Sequence, residues 1–256
     1  MNVVIIGAGN VGTNLAYALS KQNNIVQIIS KTQNSARILA EKINTEYTSD
    51  LKNISNIADI YIVAVNDGSI VKLVKQINVE NKIIVHTAGS VNIDALKNSG
   101  NNYGIFYPLQ TFSKHKILEF DNIPICVEAN NYETEKSIQE LAKSISNKVY
   151  LINSEQRKYL HLSAVFACNF TNHLYNISKK ILKEKNLDFE IIKPLIEETA
   201  KKIKNTEPAD AQTGPAARND KIIIEKHLEL LSLYPEFQNI YNILTKSIIE
   251  KHLKNE

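Results

Sequence analysis

The chain has no tryptophan, one methionine, two cysteines, six prolines and eight glycines in 256 residues. These scarcities exclude several classes of function. Cys126 and Cys168 form no CxxC or Cys/His metal pattern, so no metal site is expected and reduced cytosol is the natural compartment. No apolar run approaches transmembrane length, and Met1 runs directly into a strand pattern. Neither a membrane span nor a signal peptide is therefore expected. A net charge of +3, without a basic stripe interleaved with aromatics, is too slight to argue for nucleic acid. There is no internal repeat, no low-complexity linker, and no Ser-His-Asp order or paired acid that would argue for hydrolysis. What remains is an ordinary globular composition, long enough for one large domain or two ordinary ones.

The few glycines are not scattered. Gly7, Gly9, Gly12, Gly68 and Gly89 all fall in loops that follow apolar strand patterns. The first group is the most informative. Val3-Val4-Ile5-Ile6 reads as a strand buried on both faces. Gly7-Ala8-Gly9-Asn10-Val11-Gly12 follows at once, and Leu15, Ala18 and Leu19 then recur at helical spacing. In a strand–glycine–helix order, Gly7 permits the turn, Gly9 lets a pyrophosphate approach bare backbone, and Gly12 lets the helix pack close to the strand. The helix N-terminus offers unpaired N–H groups to the phosphates. A dinucleotide cofactor is expected here.

Strands at 25–29, 58–65 and 82–86 alternate with helices at 10–21, 34–43 and 69–77, which predicts a mostly parallel, doubly wound sheet. Ligands of such sheets bind outside the carboxyl ends of the strands. That edge gathers Gly7 to Gly12, Ser30 to Thr32, Val65-Asn66 through Gly68, and His86-Thr87-Ala88-Gly89-Ser90. The second strand ends in Ser30-Lys31-Thr32 and not in the acid that meets a free ribose 2′-hydroxyl, so NADP is favoured over NAD. Further strands are expected at 103–107, 123–127 and 148–152, with a helix over 132–146. The first domain is placed at 1–152. Ser154 is read as the cap of one long helix reaching Lys183, on which His161, Val165, Cys168 and Asn172 share a stripe with Asn169 about 60° away. Asp188 starts a helical segment bent or delayed at Pro194. Asp220 or Asn219 caps a helix over 221–231, and Pro235 opens the last helix, to about Leu253. Residues 153–256 form an all-α second domain. His115, His227 and His252 read as surface residues.

The combination of Gly7–Gly12, His86–Ser90, Tyr107-Pro108-Leu109-Gln110-Thr111-Phe112, Asn169-Phe170-Thr171-Asn172-His173-Leu174 and Gln212-Thr213-Gly214-Pro215-Ala216-Ala217-Arg218-Asn219-Asp220 resembles a family of Rossmann-like NADP oxidoreductases. That family carries the C-terminal domain of unknown function numbered 2520. It lies near pyrroline-5-carboxylate reductase and the 6-phosphogluconate dehydrogenase-like enzymes. Two positions depart from its pattern: Tyr107 stands where histidine is usual, and Asn219 where glycine is usual. The resemblance implies a dinucleotide-binding domain, a helical domain that closes the cleft and often builds a homodimer, and no settled substrate.

Hydride transfer requires a group that exchanges a proton with the substrate heteroatom. His161 is the first candidate, at the place where related hydroxyacid dehydrogenases carry a lysine. Asn169 and Asn172 suit a carbonyl or carboxylate, or else hydrogen bonds between helices. Arg218 suits a substrate carboxylate, or else an ion pair with Asp220. Tyr107, Gln110, Thr111, Gln212, Thr213 and Gly214 complete a candidate substrate group. Val65, Asn66, Ala88 and Gly89 are expected near the nicotinamide, and His86 either contacts its carboxamide or ribose or fills the strand end. The expectation is an NADP-dependent oxidoreductase acting on a small polar metabolite between the two domains. A dinucleotide sensor without turnover, a pyrroline-carboxylate-like imine reductase and a deazaflavin-dependent reductase remain as alternatives.

Overall fold

A computed structural model of the chain describes residues 1–253. The chain divides into two compact units, Met1–Asn169 and Phe170–Glu256. The first is built in the order β1 (Asn2–Ile6), α1 (Asn10–Ser20), β2 (Asn24–Ile29), α2 (Gln33–Ile43), β3 (Glu46–Thr48), β4 (Ile60–Val63), α3 (Ile70–Val74), β5 (Ile83–His86), β6 (Asn102–Pro108), β7 (Ile125–Ala129), α4 (Tyr132–Lys143), β8 (Val149–Leu151) and α5 (Ser154–Ala164). The strands form one sheet in the order β3-β2-β1-β4-β5-β6-β7-β8. Every pairing is parallel except that of β6 with β7. Strand β3 has no counterpart in the sequence reading, because three residues are too few to show a period.

The apolar run of β1 is explained by its place in the middle of the sheet. Val3 and Ile5 join the core under α1, α2 and α4, whereas Val4 and Ile6 join the core under α3. Each such side chain contributes about 1.5–3 kcal/mol by leaving water. The strand order reverses between β1 and β4, and in open sheets of this kind that reversal opens the ligand crevice.

Helix α5 belongs to the first unit, so the division falls later than the break read at Asn153. The reason is a set of anchors that sequence periodicity does not show. Arg157 is fully buried, and Leu160 packs against Ile105, Tyr107 and Cys126. The cap is also one residue earlier than expected. Asn153 forms a capping box with Gln156, which leaves the Ser154 hydroxyl to bond elsewhere.

The expected single helix from Ser154 to Lys183 is interrupted. A π-helical turn, Val165–Phe170, separates α5 from α6 (Thr171–Glu184). Its i→i+5 bonding ends the 100° spacing, so His161, Val165, Cys168 and Asn172 do not share one straight stripe. No glycine or proline marks this change in the sequence.

The second unit is all helical, as expected: α6, a 3₁₀ turn at Phe189–Ile192, α7 (Lys193–Lys202, with Pro194 in its first turn), α8 (Lys221–Leu230) and α9 (Pro235–Leu253). Asp220 caps α8 by accepting from the Ile223 N–H. Asn219 stands at φ 50, in the left-handed region that glycine and asparagine tolerate. That conformation accounts for an asparagine where the resembling family has glycine. His115 is exposed, as expected. His227 is instead half-buried, its Nδ1 2.9 Å from the Tyr241 hydroxyl. The side chain of His252 lies outside the described residues. No helix among the described residues is long and apolar enough to cross a membrane.

Candidate active site

The glycine turn sits where β1 meets the end of β4. A Cβ on Gly7 would come within 2.2 Å of the Ala64 carbonyl oxygen, and one on Gly12 within 1.8 Å of the Gly7 carbonyl oxygen. The turn therefore closes only with glycine at both places. Gly9 differs: nothing lies within 4 Å of where its Cβ would be. The fold makes no use of that space, which leaves it to a ligand. Gly9 also caps α1 without a side chain, so the first-turn N–H groups stay available to an anion.

At the end of β2, Ser30 is half-buried and Lys31 exposed. Thr32 caps α2 by accepting from the Ser35 N–H, and its hydroxyl donates to Ser35 Oγ at 2.8 Å. Its oxygen is thus already engaged in folding. The bare glycine loop, the open helix terminus, the cation and the absence of an acid all fit a dinucleotide that carries a 2′-phosphate. Val65 is half-buried and Asn66 exposed at the end of β4. The next residue, Asp67, accepts a hydrogen bond from the Ser90 hydroxyl, which ties the loop after β4 to the loop after β5.

For His86 the structure favours the reading in which the residue fills the strand end. Its ring is fully buried. Nδ1 accepts from the Ala88 N–H at 3.2 Å, and Nε2 lies 3.5 Å from the Asn92 carbonyl. Burial and the nearby Arg157 push it down to about 4, so it is neutral. The ring organises the loop that follows β5, and its side chain is not presented to a cofactor. Ala88 and Gly89, also buried, form that loop.

Three separated segments meet beside it. The Tyr107 hydroxyl lies 3.1 Å from His161 Nδ1, and the rings meet edge to face. Gly89 packs beneath both: a Cβ there would stand 2.6 Å from His161 Nδ1 and 2.8 Å from Tyr107 Cζ. Burial, reinforced by Cys126 and Asp67 and opposed by Arg157, pushes the Tyr107 phenol up to about 12. The phenol keeps its proton and donates it to Nδ1. That direction requires the His161 tautomer with its hydrogen on Nε2. The Cys126 thiol is buried and pushed up to about 11, so it stays protonated.

Beneath this pair lies a charged group that the sequence reading passed over. Arg157 donates to Glu128 on β7, to the Val91 carbonyl at 2.6 Å and to the Ser154 hydroxyl at 3.1 Å. Ser154 in turn donates to Glu128 at 2.7 Å and accepts from the Ile93 N–H at 3.0 Å. The only available signal was the position of Arg157, four residues before His161 on one helix face.

Gln110 and Thr111 are exposed, and Gln110 Oε1 accepts from the Thr111 N–H at 2.8 Å. Their loop is fastened over α1. Buried Asn14 donates to the Asn10 and Ser113 carbonyls and accepts from the Leu118 N–H, and Asn10 accepts from the Lys114 N–H. Asn169 is exposed on the π-helical turn. Asn172, Gln212, Thr213, Gly214 and Arg218 belong to the second unit, and of these only Gly214 is half-buried. Gln212 bonds the Thr213 carbonyl at 2.9 Å. Asp220 serves as the cap, and Arg218 makes no ion pair among the described residues.

Residues 2–89 match the family model described as NADP oxidoreductase, coenzyme F420-dependent, and residues 123–248 match the domain of unknown function DUF2520. No curated protein matches the chain. Among solved structures, the "putative NADP oxidoreductase BF3122" of Bacteroides fragilis is 45% identical over 97% of this chain and 98% of its own, with a TM-score of 0.93. A 1-pyrroline-5-carboxylate reductase from Streptococcus pyogenes is 13% identical, covering 98% of each chain, with a TM-score of 0.66. An imine reductase from Myxococcus stipitatus in complex with NADP+ is also 13% identical, over 99% of this chain and 93% of its own, with a TM-score of 0.66. The last two share the fold. By its match to the Bacteroides protein over nearly its whole length, and by both family models, the chain belongs to the NADP oxidoreductase family that carries the DUF2520 domain.

Proposed function

We propose that this oxidoreductase transfers hydride between NADP and a small polar metabolite, with His161 and Tyr107 exchanging the proton at the substrate heteroatom. The observation that carries the reading is the 3.1 Å contact between Tyr107 and His161, set against Gly89 at the carboxyl edge of the sheet. The bound nicotinamide supplies the hydride. In the direction of reduction, Nε2–H of His161 donates to the substrate oxygen or nitrogen, and the Tyr107 hydroxyl replaces that proton through Nδ1. Tyr107 thereby does the work that a histidine at its own position would do. Gly7 to Gly12 hold the pyrophosphate, and Ser30 and Lys31 face the 2′-phosphate. The setting is cytoplasmic.

The test is a panel of small carbonyl, imine and hydroxyacid substrates, followed by NADPH absorbance. Once a substrate is found, His161→Gln is expected to cut kcat by about 100-fold, within the range general acid catalysis contributes, while leaving the KM for NADPH unchanged. Full turnover in that variant refutes the assignment. A cyclic imine forms one arm of the panel, and reduced deazaflavin replaces NADPH in another. Tight NADPH binding without turnover anywhere in the panel would favour a sensor.

The same reading includes a homodimer. In the second unit Ile191, Leu195, Ile222, Leu230, Leu233 and Ile243 are all more than 60% exposed, whereas Ile177, Ala216 and Thr245 are its buried residues among those described. A helical unit with so little interior needs a cover. A second copy offers the same apolar helices, so one isologous contact covers both. Light scattering is expected to give twice the chain mass of 28.8 kDa. A monomer at micromolar concentration would refute the dimer.

A further inference from the structure

We infer that Arg157 is a positioning residue for the proton-transfer pair: its buried guanidinium locks the first turn of α5 to the sheet and thereby sets His161 against Tyr107. The inference takes its purpose from the proposed role of His161, but its geometry stands independently.

The guanidinium makes three anchors on three elements. It bonds Glu128 on β7, the Val91 carbonyl in the segment after β5, and Ser154 at the start of its own helix. Ser154 closes the group by bonding Glu128 and the Ile93 N–H. His161 is one turn further along α5, on the same face. A shift of the first turn therefore passes directly to the imidazole. The helix has few other buried attachments, since Ser154 and Arg157 are its only buried residues.

The position is too expensive for a packing role alone. Arg157 is fully buried, and its Nε finds no hydrogen-bond partner among the described residues. A charged pair in such a place often gives no more stability than apolar residues of the same volume. A guanidinium fork does offer fixed directions to two acceptors at once. Here those acceptors lie on strand β7 and on the segment after β5.

The charge also reaches the surrounding groups. Those it acts on are Glu128 and Cys126 from β7, Tyr107 from β6 and His86 from β5, and Asp67 from the loop after β4 acts on Tyr107 and His86 in the opposite sense. Arg157 favours the anionic form of Tyr107 and the neutral form of His86. The first effect eases the passage of the phenolic proton toward His161.

The test uses ¹⁵N-histidine NMR on the whole protein and needs no substrate. Tyr107→Phe defines where the His161 Nδ1 signal falls when its hydrogen bond is lost, and the His161→Gln spectrum assigns it. Glu128→Gln with Arg157→Met removes both charges together and so leaves no unpaired ion. In that variant Nδ1 is expected at the Tyr107→Phe position. An Nδ1 signal at the wild-type position in the folded double variant overturns the inference. Arg157→Lys provides a second test that keeps the charge. Lysine lacks the fork, so the signal is again expected to move, and a wild-type signal there assigns the effect to charge and refutes positioning. On a substrate, the double variant is expected to lose about 100-fold in kcat at constant KM for NADPH, the scale of an ångström's misplacement. If the signal moves while turnover persists, positioning holds and the catalytic reading of His161 fails.

Discussion

His86 should make the protein lose stability well above the pH at which carboxylates titrate. Its folded value lies at about 4 against 6.5 when free, so between those limits the unfolded chain binds a proton that the folded chain refuses. Stability then rises with pH across that window and is fully present above 6.5. Integrating between the two values, at about 1.4 kcal/mol per pH unit, gives a loss of about 2 kcal/mol between pH 7.5 and pH 5. The physical sources are the buried ring and the neighbouring Arg157 cation. The assay is urea unfolding followed by far-UV circular dichroism, at matched ionic strength and several pH values. Because the chain holds five other histidines, the comparison is with His86→Asn. Asparagine keeps an acceptor for the Ala88 N–H and has no charge to gain. The variant is expected to be weaker at pH 7.5, yet to lose about 2 kcal/mol less than wild type on going to pH 5. Parallel curves for the two proteins would refute the reasoning, since they would mean that His86 charges without cost.

Three other predictions test the cofactor edge. Gly9→Val should leave the melting temperature within a few degrees of wild type, because a Cβ there has no protein atom within 4 Å, yet abolish NADPH binding by calorimetry. Retained binding would remove the pyrophosphate from that loop. Lys31→Ala should weaken NADPH about tenfold, the scale of a charge-assisted hydrogen bond, and leave NADH unchanged. An equal loss for both would refute a 2′-phosphate contact. Gly89→Ala drives a methyl to within 2.6 Å of His161 Nδ1 and should cost about 1–3 kcal/mol in stability. It should also lower turnover without weakening NADPH, and wild-type turnover would separate Gly89 from the proton-transfer pair.

The legible parts of the molecule were those written in neighbouring residues. The glycine turn, the apolar run of β1, the basic end of β2 and the cap of α8 each involve contacts a few positions apart, so spacing alone carries them. Local reading already failed at Ser154, where capping box chemistry on Asn153 freed the hydroxyl for Glu128. It failed again at the π-helical turn, where nothing in the composition announces a change from i→i+4 to i→i+5 bonding. His86 ended a strand at the expected edge, but which way its ring points depends on Ala88 and Asn92 closing around it. The pair at the proposed active site lies further out of reach. Tyr107 and His161 are 54 positions apart, and Arg157 meets Glu128 across 29 and Val91 across 66. The contact of Arg157 with Glu128 depends on β7 turning back antiparallel to β6, in a register that sets Cys126 opposite Tyr107 and Glu128 opposite Ile105. An arginine on a helix face reads as solvated until an acid is known to lie beneath it. The one antiparallel pairing in the sheet puts that acid there. It therefore determines how α5 lies on the sheet and, through α5, where a histidine with no distinctive sequence surroundings meets a tyrosine.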